Sequence, residues 1–157
     1  MSTSGVIGGP EDRDAVTALV GAFLRAVSFE PGGEPGYDRI AGLFVAGGRL
    51  IRNLTGDPEV STVEEFVAPR RRLVADGELT AFEEVEVADV THVFGNVAHR
   101  LSSYRKRGTT GGEDFTGAGI ISTQCVRTPD GWRISSMAWD DERPGLLVPA
   151  ELAALTG

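Results

Sequence analysis

Cysteine and histidine are scarce in this 157-residue sequence, which contains one Cys and two His. Because Cys125 is the only cysteine, no intrachain disulfide can form, and a structural zinc site built on cysteines is excluded. The two histidines, His92 and His99, follow no metal-ligand spacing. We therefore predict no metal and no cofactor. The alternative is a metal ion held by His92, His99 and a nearby carboxylate.

Basic residues and long apolar runs are also scarce. The 15 Lys and Arg residues are outnumbered by 23 Asp and Glu, which gives a net charge of −8. An acidic surface repels nucleic acid and anionic lipid, so neither is a predicted partner. No apolar run approaches the ~18 residues of a membrane helix, and the first residues lack the pattern of a signal peptide. We expect a cytoplasmic protein with one hydrophobic core.

Helical patterns come first along the chain, and strand patterns follow. Pro10 can occupy the first turn of a helix, a shorter helix includes Ile40 and Leu43, and a capping box at 61–64 opens a third helix. Pro69 should kink or divide that third helix. This order predicts an α+β fold. We divide the chain into a flexible arm at 1–10, one domain at 11–143 and a tail at 144–157 that could form a short helix. The predicted strands are 49–53 and, roughly, 80–94, 96–107, 115–128 and 132–141.

Two tight turns predict which side chains share a face of the sheet. Gly95-Asn96 is typical of a two-residue hairpin loop, and Pro129-Asp130-Gly131 marks a second turn. The predicted cross-strand pairs are His92 with His99, Val90 with Leu101, Glu84 with Arg107, Glu86 with Arg105, Gln124 with Met137 and Ser122 with Trp139. Since side chains alternate along a strand, Ser122, Gln124, Met137, Trp139 and Asp141 then share one face, and Trp132, Ile134 and Cys125 the other.

Three segments resemble one known superfamily. "LFVAGGRLIRN", "FGNVAHRLSSY" and "GWRISSMAWDDE" are similar to the first strand and later hairpins of nuclear-transport-factor-2-like proteins, in particular the SnoaL-like branch. The resemblance covers about residues 11–143. It implies a cone-shaped α+β barrel, in which a curved, mostly antiparallel sheet wraps over three N-terminal helices and encloses a cavity. It also implies a homodimer joined through the sheets.

The residues of one well-known member of this group, ketosteroid isomerase, are missing. That enzyme uses a carboxylate base, a tyrosine and a protonated carboxylic acid. The matching positions here are Arg52, Phe23 and a position near Ile120. Steroid isomerisation by that mechanism is therefore disfavoured.

The resemblance and the strand pairing together predict a small-ligand cavity. We expect His99 to be its general acid or base, because an imidazole titrates near neutral pH. The alternative is a strand histidine that is merely hydrogen-bonded. Arg70, Arg71 and Arg72 are interpreted as a solvated helix face. The predicted ligand-binding residues are Phe23, Arg52, Leu101, Ser103, Ser122, Gln124, Met137, Trp139 and Asp141.

Two functions fit these expectations. The first is a non-catalytic ligand-binding or assembly module whose apolar cavity holds a small apolar ligand. The second is an isomerase, cyclase or dehydratase in which His99 acts on an apolar substrate that carries a carbonyl group. The polar groups on the predicted cavity face favour the enzyme, whereas the missing isomerase residues favour the module.

Overall fold

The computed structural model describes residues 9–153, and within them the chain forms two α-helices, six strands and three short 3₁₀ turns. Most of the predicted arm, residues 1–8, and the last four residues of the predicted tail lie outside the described residues. The helices are α1, Pro10–Val27, and α2, Val63–Ala75. The strands are β1, Phe44–Arg52; β2, Glu59–Ser61; β3, Leu79–Phe94; β4, Val97–Thr110; β5, Glu113–Thr128; and β6, Gly131–Asp141. The 3₁₀ turns are Tyr37–Arg39, Ala41–Leu43 and Ala150–Leu152.

The six strands form one sheet in the order β2-β1-β6-β5-β4-β3. All neighbours are antiparallel except β1 and β6, which run parallel. Both helices pack against this sheet, and we call the face towards them the inner face and the opposite one the outer face. The predicted α+β fold with a mostly antiparallel sheet is confirmed. Among the described residues, neither helix combines the length and apolar character of a membrane span.

The helix ends follow local rules that the sequence mostly predicts. α1 begins at Pro10. Proline has no backbone N–H, but an N–H in the first turn of a helix finds no acceptor within the helix, so proline loses no hydrogen bond there. The capping box of α2 lies one residue later than predicted. Glu65 N donates to the Thr62 hydroxyl at 3.1 Å, and Thr62 N donates to the Glu65 carboxylate at 2.9 Å. Pro69 lies inside α2 and does not divide it. The shorter predicted helix is replaced by two successive 3₁₀ turns.

The hairpin of β3 and β4 has the predicted register near its turn. The Gly95-Asn96 loop places His92 opposite His99 and Val90 opposite Leu101. These four side chains are exposed on the outer face. The two-residue loop therefore predicts the near half of this hairpin correctly.

The register of this hairpin shifts by one residue further along β3. Val87 has no partner, since the pairing jumps between Glu86 and Ala88. Such a bulge turns the side chains beyond it to the other face of the sheet. The observed pairs are Glu86 with Tyr104 and Glu84 with Lys106, so the predicted partners Arg105 and Arg107 are wrong.

The hairpin of β5 and β6 also differs from the predicted register. Its loop is Pro129-Asp130, so Thr128 pairs with Gly131, and Ser135 is an extra residue in β6. The sequence allows several loops at this turn, and the predicted one lies one residue too far along the chain. Met137 pairs with Thr123 and Trp139 with Ile121, so the predicted partners Gln124 and Ser122 are wrong.

The extra residue in β6 places Trp132 and Ile134 on the inner face, together with Met137. Their side chains and that of Cys125 are at most 5% exposed, and Trp132 Nε1 donates to Asp12 of α1 at 3.2 Å. The prediction that these residues point outwards is therefore wrong. Burial raises the pKa of the Cys125 thiol to about 11, which makes it unreactive near neutral pH.

A buried ion cluster joins α1 to the sheet. The Arg100 side chain is 4% exposed and donates to both carboxylate oxygens of Glu86, at 2.9 and 2.6 Å. Its Nη1 lies 3.0 Å from Asp89 and donates to Thr17 of α1 at 2.9 Å. Burial opposes the charge on Arg100, but the hydrogen bond and charge of Glu86 outweigh it, so its pKa is raised. The bulge at Val87 is what brings Glu86 to this cluster.

The described part of the tail packs on the outer face. Ala150–Leu152 form a 3₁₀ turn, and Leu152 is 2% exposed. The Ser103 hydroxyl donates to the Leu152 carbonyl oxygen. The short helical segment predicted for the tail is therefore present as one 3₁₀ turn against β4.

Candidate functional site

A cavity of about 510 Å³ lies between the inner face, the C-terminal half of α1 and α2. This volume is within the range of about 300–1,000 Å³ that is usual for small-molecule sites. Most of its wall is apolar and aromatic. The apolar lining residues are Phe23, Val27, Phe66, Pro69, Leu73, Leu79, Phe82, Phe115, Ile121, Met137 and Trp139.

Two acidic residues line this cavity, Glu59 and Glu84, and Glu84 is the less exposed of them. It lies on β3 directly opposite Lys106, and its backbone N donates to the Ser28 hydroxyl at 3.1 Å. Removal from bulk water raises the pKa of its carboxyl to about 7, although the charge of Lys106 acts in the opposite direction. No hydrogen bond from a residue in the 9–153 range contributes to this pKa. The carboxyl therefore titrates near neutral pH and is free to contact a ligand.

Lys106 carries the positive charge on the same wall. Its Nζ lies 2.8 and 3.0 Å from the two carboxylate oxygens of Asp141. The Tyr104 hydroxyl donates to the same carboxylate and to the Asp140 carbonyl oxygen, the latter at 3.1 Å. Burial first, and then the bond to Asp141, raise the pKa of Tyr104, so this hydroxyl stays protonated. Asp141 is thus the shared acceptor between a cation and a phenol.

Arg70 and Arg52 complete the charged rim of the cavity. The guanidinium of Arg70 lies 3.7 Å above the centre of the Phe66 ring and donates to the Phe66 carbonyl oxygen at 2.8 Å. Burial lowers the pKa of Arg70. Arg52 pairs with Glu59 at 2.8 Å, and both side chains are largely exposed. The interpretation of Arg70 as part of a solvated helix face is wrong, because this side chain turns into the cavity.

Solved structures provide the comparison that identifies the fold. A protein from Kribbella flavida is 18% identical, with a TM-score of 0.67 over 85% of this chain and 92% of that one. A nuclear-transport-factor-2-like superfamily protein from Salmonella enterica is 16% identical, with a TM-score of 0.66 over 94% and 97% of the two chains. An NTF2-like protein with a cystatin-like fold from Novosphingobium aromaticivorans is 16% identical, with a TM-score of 0.65 over 88% and 90%.

The chain has the nuclear-transport-factor-2-like fold. The resemblance predicted from the sequence is confirmed at this level, and assignment to the SnoaL-like branch stays a prediction. No family model matches the chain, and no curated protein matches it. At these identities the comparisons establish the fold alone, so the function has to be argued from the cavity of this chain.

The nuclear-transport-factor-2-like fold brings four of the predicted ligand-binding residues into the cavity wall. They are Phe23, Arg52, Met137 and Trp139. The rings of Phe23 and Phe66 are 6.0 Å apart, as are those of Phe66 and Trp139, so these aromatic side chains form one continuous wall. Asp141 lies beside the cavity and reaches it through its ion pair with Lys106.

The remaining predicted site residues lie on the outer face. On β4 the inward side chains are Arg100, Ser102, Tyr104 and Lys106, so the odd-numbered residues between them point outwards. The predicted cavity positions of His99, Leu101, Ser103, Ser122 and Gln124 are therefore wrong. His99 is exposed, and its Nε2 lies 2.7 Å from Nδ1 of His92. Between residues 9 and 153, no three potential metal-ligating side chains come together, so the alternative set of His92, His99 and a carboxylate is not assembled.

The outer face is nevertheless partly apolar, through residues other than those predicted. Val90, Phe94, Val97 and Leu101 are each at least 36% exposed on the paired ends of β3 and β4. Association of two copies through this face stays a prediction.

Five charged or phenolic groups of the cavity were missed from the sequence: Tyr37, Glu59, Arg70, Glu84 and Lys106. An unbroken strand count pairs Glu84 with Arg107 as a structural ion pair, because nothing in the sequence distinguishes Val87 from an ordinary strand residue. One signal was available, however. Lys106 is the only lysine among the 15 basic residues of the chain, and the other 14 are arginines. Its side chain therefore differs chemically from every other basic side chain of the chain.

Proposed function

We propose that this nuclear-transport-factor-2-like protein binds a small, mostly apolar molecule in the cavity and that Glu84 transfers a proton to or from it. The ligand class follows from the wall, which offers aromatic surface and a few polar groups. A carbonyl-bearing molecule fits best, because Tyr37, Arg70 and Lys106 can donate hydrogen bonds to a carbonyl oxygen.

The observation that carries this proposal is the state of Glu84. A carboxyl group whose pKa is about 7 is present in both protonation states near neutral pH. That condition suits a general acid or base, because the group can both accept and release a proton under working conditions. The mostly apolar cavity also excludes water from the Glu84 carboxylate. Water would stabilise the carboxylate and make it a weaker base.

Glu84 thus takes the part that the sequence analysis gave to His99. His99 points away from the cavity, whereas Glu84 lies in its wall. A non-catalytic module needs an apolar cavity but has no use for an ionisable carboxyl kept without a hydrogen bond. The energetic cost of burying that group favours proton transfer over binding alone.

A base-sensitive probe tests the proposal without knowledge of the natural ligand. The ring of 5-nitrobenzisoxazole opens when a base removes one proton from carbon, and the coloured phenolate product is easily measured. We expect saturable ring opening whose rate rises with pH around a midpoint near 7, as the Glu84 carboxylate forms. Glu84→Gln keeps the shape of the side chain and removes the base, so the rate should fall by about 10²-fold or more.

Glu83→Gln is the matched control, since Glu83 is adjacent in sequence but exposed and paired with Arg107. It should leave the rate and its pH profile unchanged. Equal rates for Glu84→Gln and the unsubstituted protein would refute the assignment of Glu84 as the base. Failure of the probe to saturate would argue against a binding cavity altogether.

A further inference from the structure

We propose that Lys106 forms an imine with an aldehyde or ketone bound in the cavity. This inference rests on the proposed function and adds a covalent step to it. Lys106 lies in the cavity wall, and its side chain is 21% exposed. A primary amine in such a site can attack a carbonyl carbon, which no arginine can do.

The composition makes the position of this amine informative. Fourteen of the 15 basic residues are arginines, so the chain meets its other needs for positive charge without lysine. Guanidinium groups form the buried cluster on β4 and the ion pairs of the surface. The single side-chain amine lies in the cavity, where its different chemistry would matter.

The surroundings of Lys106 fit the step. Gly117 lies opposite it on β5 and leaves room for its stem, since a Cβ there would lie 2.8 Å from Lys106 Cε. Asp141 pairs with its Nζ on one side, and Glu84 lies directly opposite it on β3. A carbonyl ligand in the cavity would therefore contact the Lys106 amine. Asp141 is the anion paired with that amine, and Glu84 is the group beside it that can exchange protons.

The reaction balances with these groups alone. The Glu84 carboxylate takes a proton from the ammonium, and the neutral amine attacks the carbonyl carbon to form a C–N bond. Glu84 returns that proton to the oxygen, which gives a carbinolamine whose nitrogen is protonated. Glu84 then takes a second proton from this nitrogen and delivers it to the hydroxyl. The C–O bond breaks, water leaves, and the nitrogen lone pair completes a C=N bond. The product is a protonated imine, so Asp141 faces a positive charge at the beginning and at the end.

Reductive trapping locates the imine. The full chain is incubated with 2-naphthaldehyde and sodium cyanoborohydride near neutral pH, and peptide mass spectrometry compares Lys106 with the terminal amine. An ordinary terminal amine has a pKa near 8 and an ordinary lysine near 10.4, so an unfolded chain should react mainly at its terminus. In the folded protein we expect the reverse, with Lys106 modified about tenfold faster than the terminus. In urea the preference should return to the terminus.

The matched alcohol, 2-naphthalenemethanol, separates binding from covalent reaction. It has the same ring system and no carbonyl, so it should suppress labelling of Lys106 without affecting the terminus. Lys106→Arg retains the cation beside Asp141 and should lose the adduct while the alcohol still binds, as measured by calorimetry. Binding of the alcohol without preferential labelling of Lys106 overturns the imine and leaves the proposed cavity function intact. Labelling of Lys106 that the alcohol does not reduce also overturns the inference, because the amine would then react outside the cavity.

Discussion

Replacement of Glu84 by Gln should stabilise the folded protein, and more so as the pH rises. The pKa of this carboxyl rises from its ordinary value of 4.5 to about 7 on folding. Below pH 4.5 Glu84 is protonated in both the folded and the unfolded state, so it does not lower the free energy of unfolding. Between the two values the unfolded chain releases its proton and the folded one retains it, and stability falls by about 1.4 kcal/mol per pH unit. Above 7 both states are ionised, and the full cost of about 3 kcal/mol remains.

Urea unfolding at two pH values measures this effect. Because the Glu84 side chain is partly exposed and solvent screens its charge, we expect a gain of about 2–3 kcal/mol for Glu84→Gln at about pH 8. At about pH 5.5 the gain should be about 1 kcal/mol. Glu83→Gln, which removes an exposed charge, should change the free energy of unfolding by less than about 0.5 kcal/mol at either pH. A gain that does not grow with pH, or a loss of stability at the higher pH, would show that Glu84 is not a desolvated carboxyl.

Three further substitutions test the packing around the site, each by the free energy of unfolding in urea. Arg100→Met should cost about 3–5 kcal/mol because it leaves a buried carboxylate unpaired, whereas Arg107→Met at an exposed pair should cost less than about 1 kcal/mol. Gly119→Ala should cost about 1–3 kcal/mol, since a Cβ there would overlap the Asp140 carbonyl oxygen and the Tyr104 hydroxyl. Gly42→Ala is the control and should be nearly neutral, because there is open space around Gly42. Leu152→Ala should cost about 2–4 kcal/mol if the tail is part of the folded domain.

The fold could be predicted because its signals are local and repeated. Pro10 marks the start of α1, and Gly95-Asn96 fixes a hairpin loop from two residues alone. Periodicity of two over long segments then indicates the strands without any knowledge of their partners. The parallel contact between β1 and β6 could not be derived in this way, because it joins segments about ninety residues apart with no turn between them to set the register.

Counting from a turn could not predict which residues of β5 and β6 line the cavity, because an irregularity in β6 changes which side chains share a face. Met137 and Trp139 share a face with Thr123 and Ile121, because the extra Ser135 reverses the faces of β6 beyond it. An unbroken count puts Met137 and Trp139 on one face with Gln124 and Ser122, so the cavity positions predicted for Gln124 and Ser122 are wrong. His99 is a separate case. Its register was correct, but its face was assigned from a family pattern rather than from a contact in this chain.

The bulge at Val87 explains why the partners predicted for Glu84 and Glu86 are wrong. With an unbroken register, Glu84 and Glu86 would both lie on the outer face, opposite Arg107 and Arg105, as two ordinary surface pairs. One extra residue turns both carboxylates inwards. Glu86 there pairs with Arg100, which also binds α1 through Thr17, while Glu84 faces Lys106 across the strands and lies in the wall of the mostly apolar cavity. The same backbone irregularity therefore produces a stabilising ion cluster and a destabilised acid. The stability contributed by the first is a physical reason why the fold can retain the second.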